Sequence, residues 1–493
     1  MARCIMVQGT MSGAGKSLLA TALCRIFRQD GLRVAPFKSQ NMALNSYITR
    51  DGLEMGRAQV AQAEAAGREP DVRMNPVLLK PSSDTGSQLI VNGEVRGQYR
   101  AAEYFKMKKS LVPEILRAYE SLAAENDVIV IEGAGSPAEI NLRDGDIVNM
   151  GLAELVNAPV LLVGDIDRGG VFAQLYGTVA LLQPEERARV VGTVINKFRG
   201  DVELLRPGLA MLEEKTGVPV LGVVPYTRAD IDDEDSLAPC LAQTQQRRPL
   251  DIAVVRLPRI SNFTDFSPLE SRSALGVRYV ERAGQLGEPD LVVLPGTKNT
   301  MGDLAWMRQN GLEAAVKKLA AAGTPVLGVC GGYQMLGTAL DDPDGVEQGG
   351  RMDGMGLLPC ATRFTGQKVR TRVQACAAAG PFAGAQLDGY EIHMGRTERG
   401  GTPPFCLLAD GTPEGAAAGN VFGTYLHGLF DTGELTEKLA AWLLACKGLS
   451  VADVRAESHA AYKERQYDLL ADAVRAAVDI AAVYRAMDAC AAK

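Results

Sequence analysis

Histidine is scarce in this chain: three among 493 residues, beside only two tryptophans. Positive charge is short as well. Fifty-two Lys and Arg face 59 Asp and Glu, for a net charge of −7. That balance argues against a nucleic-acid partner, whose phosphates need a basic surface. No apolar run approaches the length that crosses a bilayer. The opening apolar segment runs straight into a glycine loop, so no export leader is expected. The nine cysteines include no C-x-x-C pair, and no structural zinc is expected from them. Their odd number and irregular spacing point to a reducing cytoplasm. The rest is ordinary for a globular protein, 46% hydrophobic and 23% charged. At this length a single core is not expected, and two or more domains are.

The N-terminus reads as strand, glycine loop and helix. Cys4 to Val7 are apolar, and Leu18, Leu19, Ala22, Leu23 and Ile26 recur at helical spacing. Between them runs GTMSGAGKS at 9–17. A phosphate loop is ordinarily G-x-x-x-x-G-K-[ST]. Here Thr10 holds the first-glycine position and the glycine, Gly9, comes one residue earlier. The physical parts are nevertheless complete: backbone N–H groups, a helix N-terminus, a lysine for phosphate and a hydroxyl for Mg²⁺. Thr10, Gly13, Gly15, Lys16 and Ser17 are therefore the expected nucleotide-binding residues. DVIVI at 127–131 ends on Glu132, and an acid at the C-terminal end of a buried strand is expected to join Ser17 in holding Mg²⁺. VGTVINKF sets Asn196 and Lys197 at another strand end, a place to read a nucleobase edge. The lengthened loop resembles that of dethiobiotin synthetase and its relatives, which phosphorylate a carbamate or carboxylate.

A second chemistry lies in TPVLGVCGGYQMLG at 324–337. An apolar run (Val326, Leu327, Val329) delivers Cys330 into a turn, Gly331 and Gly332 follow, and a helical pattern begins. A cysteine at the positive end of a helix is favoured as thiolate. The glycines let a substrate carbonyl approach free backbone N–H groups. The base comes from few candidates. His427, in VFGTYLHGLF, follows the cysteine by some hundred residues; His393, in GYEIHMGRT, competes; His459 sits in a polar C-terminal stretch. Cysteine first and histidine near the domain end, with Gln334 just past the turn, resembles the G-x-C-x-G elbow of class I glutamine amidotransferases. The resemblance implies Cys330 as nucleophile and His427 as base, with Gly296, Gly331 and Gln334 binding glutamine or its oxyanion. One departure matters. Many members carry a glutamate two residues after the histidine to orient it, and here that position is Leu429. Glu391, Asp431 or a backbone carbonyl would have to substitute, or the pair works without a carboxylate.

Strands alternate with helical stretches up to about residue 225, which argues for a parallel sheet covered on both faces. The polar segment around 227–249 reads as a linker, and a second α/β pattern begins at Leu250. The expected α/β architecture is a dethiobiotin-synthetase-like phosphate-loop domain (1–228), a linker (229–249), a class I glutamine amidotransferase-like domain (250–440) and a C-terminal helical extension (441–493). The pairing has a chemical logic. A carboxylate does not react with ammonia, whereas an acyl phosphate made from ATP does. The two halves together imply an ATP-dependent, glutamine-hydrolysing amide ligase.

Four segments narrow the acceptor. PFKSQNMALNS at 36–46, NPVLLKP at 75–81, EGAGSPAEINL at 132–142 and GDIDRGGVF at 164–172 are similar to the signatures of the cobyric acid synthase family. That resemblance implies amidation of the b, d, e and g carboxylates of adenosylcobyrinic acid a,c-diamide. It also implies ATP, Mg²⁺ and L-glutamine as requirements, with a small-molecule corrinoid rather than nucleic acid or membrane as partner. Lys38, Gln40, Asn41 and Asn45 offer hydrogen bonds suited to propionate and amide arms, and Lys38 could also stabilise charge in phosphoryl transfer. Asp144 and Asp146, in NLRDGDIVNMG, are candidates to hold metal or steer the acceptor; Asp165, Asp167 and Arg168 end the next strand. A partition-type regulatory ATPase would share the first half alone and would have no use for Cys330 and His427.

Overall fold

A computed structural model describes residues 2–82, 86–232, 241, 248–449 and 459–491. Most of the segment read as a linker, 233–240 and 242–247, lies outside the described residues. The chain forms two compact units, neither continuous in sequence. One gathers the chain up to Met42, Met55–Asp232, and the chain from Lys463 on; the other gathers Ala43–Glu54 and the chain up to Tyr462.

The first unit is built on a six-stranded parallel sheet. Its strands lie in the order Val220–Pro225, Val190–Phe198, Val160–Asp165, Arg3–Gly9, Val128–Glu132, Val34–Phe37. All five pairings are parallel. These strands are near-continuous apolar runs because helices cover both faces of the sheet. The order has a consequence for chemistry. Arg3–Gly9 is central, and its two neighbours end in Glu132 and Asp165, so both acids stand beside the loop that leaves Gly9. Ligands of open α/β sheets bind at this edge. A smaller sheet orders Gln40–Met42, Val77–Pro81, Gly86–Val91 and Glu94–Arg100.

From Lys463 on, the C-terminal helices His459–Ala477 and Ile480–Ala491 belong to this first unit and not to a separate extension. Their apolar stripe of Tyr467, Leu470, Val474, Val483 and Met487 shares one core with Leu19, Ile26 and Phe27 of helix Lys16–Gln29. Polar contacts fix the docking. Arg25 donates to Asp468 (2.7 Å) and Glu464 (2.8 Å), and Tyr467 Oη donates to Glu64 (2.7 Å).

The second unit has a six-stranded sheet ordered Leu275–Val280, Leu250–Val255, Leu291–Leu294, Val326–Val329, Val421–Thr424, Ala416–Ala418, parallel except for the last pair. A second sheet is dominated by the long antiparallel pair Ala361–Ala377 and Gln386–Glu398, and the short strand Leu426–His427 pairs with the latter. Helix Glu434–Cys446 closes the unit, burying Leu435, Leu439, Leu443 and Leu444.

Candidate active sites

At the end of strand Arg3–Gly9 the backbone turns through Gly13 (φ +74°) and Gly15 (φ +100°) before helix Lys16–Gln29 starts. Glycine is required at Gly15 twice over. Its φ is one that L side chains avoid, and a Cβ there would sit 1.9 Å from Asn196 Nδ2. Asn196 instead donates to Ala14 O (3.0 Å), and Lys197 Nζ spans from Gly13 O (2.7 Å) to Asp165 Oδ2 (2.9 Å). Both residues thus brace the loop. Lys16 Nζ donates to Met11 O and Gly135 O, each at 3.1 Å, and so sits across the loop's mouth. Thr10 Oγ1 is 3.1 Å from Gln174 Oε1, to which it donates.

Glu132 is buried and receives three donors: Ser17 Oγ (2.8 Å) and Lys38 Nζ (3.0 Å) on one oxygen, Gln62 Nε2 (2.5 Å) on the other. Sequence reading had not singled out Gln62. Its signal was the helical repeat of Gln59 and Gln62 in RAQVAQAEA, polar residues on a helix that is buried along most of its length. Ser17 and Glu132 converge on one spot with hard oxygen donors, a set that fits Mg²⁺ held through a carboxylate, a hydroxyl and phosphate oxygens.

Of the other residues read as acceptor ligands, Gln40 and Asp146 line one cavity of the first unit. Asn41 Nδ2 donates to Gln59 (3.2 Å), and Gln40 Oε1 accepts from Tyr104 Oη (2.5 Å). Asn45 is counted with the second unit. Asp146 caps its own loop, accepting from the backbone N–H of Val148 (2.8 Å), Asn149 (3.0 Å) and Gly151 (2.9 Å).

In the second unit, strand Val326–Val329 ends on Cys330, whose φ of +53° and ψ of −110° are unusual for a residue with a side chain. The strain is maintained by close packing around the turn. A Cβ on Gly332 would lie 1.9 Å from Leu294 O, and one on Gly331 2.6 Å from Thr297 Cγ2. The Cys330 N–H donates to Thr424 O (2.8 Å), tying the turn to the adjacent strand. Helix Gly331–Leu336 begins at once, leaving its first N–H groups directed at the cysteine's end.

His427 is the histidine whose imidazole interacts electrostatically with this sulfur, while Cys330 Sγ itself donates to Ile392 O (3.5 Å). The imidazole Nδ1 donates to Asp265 Oδ2 (2.6 Å), and Gly428 N donates to Asp265 Oδ1 (3.0 Å). Burial alone would lower the imidazole pKa. Asp265 and the Cys330 sulfur outweigh it and raise the value to about 10. Asp265 thereby takes the place of the glutamate missing at Leu429. None of the substitutes expected from the sequence does so: Glu391 Oε2 lies 3.9 Å from His393, and Asp431 lies by Gly428. The sequence signal was an acid framed by Phe263 and Phe266 just beyond the unit's first strand. Gly296 packs against the imidazole, where a Cβ would fall 3.1 Å from His427 Cε1. Gln334 is fixed at both ends of its amide, accepting from Thr300 Oγ1 (2.8 Å) and donating to Tyr425 Oη (3.2 Å). His393 stacks on the Tyr425 ring at 3.7 Å and is part of that support.

One unit thus holds a phosphate loop with an acid at the neighbouring strand end, and the other a Cys–His–Asp triad on a nucleophile elbow. Residues 5–239 match the family described as the CobQ/CobB/MinD/ParA nucleotide binding domain, and residues 251–435 the CobB/CobQ-like glutamine amidotransferase domain. Fold and sites together define an amide ligase with a glutamine amidotransferase domain. Among curated proteins, the cobyric acid synthase of Ruminiclostridium cellulolyticum is 58% identical, covering 99% of this chain and 98% of its own length. That of Lachnoclostridium phytofermentans is 53% identical over 99% of each chain, and that of Alkaliphilus metalliredigens 51% over 98% and 99%. The chain belongs to the cobyric acid synthase family.

Proposed function

We propose that this chain amidates the b, d, e and g carboxylates of adenosylcobyrinic acid a,c-diamide in turn, giving adenosylcobyric acid, with glutamine as nitrogen donor and ATP as activator. The observation that carries this reading is a complete glutaminase triad and a phosphate loop in one polypeptide of this family.

In the glutaminase half, His427 takes the thiol proton and the Cys330 thiolate attacks the side-chain amide carbon of glutamine. Backbone N–H groups at Gly331 and Gly296 face the developing oxyanion, and Gln334 orients the substrate. The imidazolium, steadied by Asp265, returns its proton to the departing ammonia. Water then cleaves the thioester, restoring Cys330 and releasing glutamate. In the first unit, the backbone N–H groups around Gly13 and Gly15 and the Lys16 ammonium hold the triphosphate, while Lys38 offsets charge as the acceptor carboxylate attacks the γ-phosphorus. The products are ADP and an acyl phosphate. Ammonia displaces phosphate from it and leaves a carboxamide. Mg²⁺ held by Ser17 and Glu132 would neutralise phosphate charge. Asn196 is assigned to the nucleotide site as a brace of its loop.

Mass spectrometry of the corrinoid after incubation with ATP and glutamine tests this reading. Each replacement of OH by NH₂ lowers the mass by about one unit, so four successive steps are expected. A corrinoid unchanged in mass under conditions where glutamine is hydrolysed would refute it.

A further inference from the structure

The first unit holds a cavity of about 390 Å³ that the phosphate loop does not occupy. The two are contiguous. Ala134, Gly135, Ser136 and Pro137 form one wall, and Gly135 is the residue whose carbonyl receives Lys16 Nζ. The cavity therefore begins where the phosphate site ends. Large apolar side chains stand open on its lining: Met42 is 57% exposed, Phe105 45% and Leu142 39%. Solvent-exposed apolar groups gathered at one concavity mark a ligand surface.

Lys108 lines the same cavity and is only 8% exposed. Its ammonium lies 4.2 Å from the centroid of the Phe105 ring, and no carboxylate among the described residues is within ion-pair distance of it. Burial lowers its pKa, with Asp146 opposing the shift. The Asp146 oxygens are already taken by three backbone N–H groups. A buried cation without a counterion is costly, and an incoming carboxylate would offset that cost. Gln40, whose oxygen is taken by Tyr104, keeps its amide N–H groups for an acceptor oxygen.

We propose that this cavity seats the acceptor, with the apolar body of an amphipathic macrocycle against Met42, Phe105 and Leu142 and a non-reacting carboxylate arm on Lys108 Nζ. The assignment rests on the function proposed above and adds where, and by which groups, the acceptor is held. Apolar contacts lack direction, so one seat tolerates several rotations of the ring and can present different arms to the Gly135 wall. The single cation adds a preference. Each amidation removes a carboxylate, so affinity falls as the product approaches completion.

The test is equilibrium dialysis of the full-length protein against cobyrinic acid a,c-diamide and against cobyric acid, whose b, d, e and g arms are amidated, both read by visible absorbance. Wild-type protein is expected to bind the a,c-diamide at least tenfold more tightly than cobyric acid. Lys108→Met should reduce that ratio to within about threefold, with the Kd of cobyric acid little changed. A merely structural lysine would weaken both ligands alike. Met42→Glu, at an exposed position that folding does not depend on, should raise both Kd values at least tenfold. Thermal midpoints check the fold of each variant. Normal wild-type binding with Met42→Glu unaffected overturns the cavity assignment alone. Wild-type protein that binds neither corrinoid overturns the acceptor reading, and the seat with it.

Discussion

Both sites stand on the same local device, a parallel strand that ends in a sharp turn and feeds a helix. The turns differ in where the unusual backbone is placed. At 9–17 it falls on glycines, Gly13 and Gly15, for which positive φ carries little penalty. At the elbow it falls on Cys330 itself, at φ +53°. The reason lies in what each turn presents. A triphosphate is held by many backbone N–H groups, so the loop needs freedom and small residues. A glutaminase needs one sulfur in one place, so the turn must carry a side chain, and the surroundings must absorb the strain. The neighbours reflect this. Nothing would lie within 4 Å of a Cβ on Gly13, whereas Gly331 and Gly332 are packed against Thr297 and Leu294.

The contrast breaks most sharply when each turn loses its key atom. Cys330→Ala should abolish glutamine-dependent amidation while leaving amidation from ammonium and ATP intact. Lys16→Ala should lower both by about 10²–10³-fold, as expected for loss of a charge-stabilising donor. Parallel assays with the two nitrogen sources decide between them; ammonium-dependent loss in Cys330→Ala would break the division of labour.

Next in size is the orienting acid. Asp265→Asn should cut glutamine hydrolysis by about 10²–10⁴-fold, the range for removing the carboxylate partner of a catalytic histidine. Because Asp265 raises the His427 pKa, its loss should lower the pKa of the imidazolium and move the limb of the pH–rate profile that His427 controls toward acid. Stability should follow the same linkage. His427 is at about 10 in the folded chain against 6.5 for the free side chain, so the protonated pair stabilises fully below pH 6.5 and that contribution fades as pH climbs through about 10. The gap in urea midpoint between wild type and Asp265→Asn should be widest in acid and narrow toward pH 10.

The smallest effects compare glycines. Gly332→Ala would drive a methyl into the Leu294 carbonyl and should cost more than about 2 kcal/mol. Gly13→Ala meets open space and bears only its φ of +74°, about 1–2 kcal/mol. Chemical denaturation of the pair measures the difference; equal losses would mean that packing does not hold the elbow.

What was legible in the sequence was what is local. Strand, glycines and Lys16-Ser17 lie in one run, as do Val326 to Gln334, and the alternation of apolar runs with helical spacing matches both parallel sheets. Asp265 was missed because it joins His427 only through the fold, across 162 positions. The long strands Ala361–Ala377 and Gln386–Glu398 were missed for another reason. Arg, Thr and Gly alternate there with few fully buried residues, so the apolar signal is faint. Lys38 and Asn41 were read as acceptor ligands from the family-like segment at 36–46, and in the fold they hydrogen-bond Glu132 and Gln59. The closing helices were expected as an extension, since nothing local names the element they pack against. That element is helix Lys16–Gln29, at the opposite end of the chain.

That last pairing bears on how the protein is made. The nucleotide-binding unit begins to emerge from the ribosome first, yet the stripe from Tyr467 to Met487 that covers Leu19, Ile26 and Phe27 is synthesised last. Until then the helix behind the phosphate loop exposes an uncovered apolar face, and the glutaminase unit can complete its core earlier. A truncation that spares every catalytic residue but removes the final two helices is therefore expected to aggregate during translation.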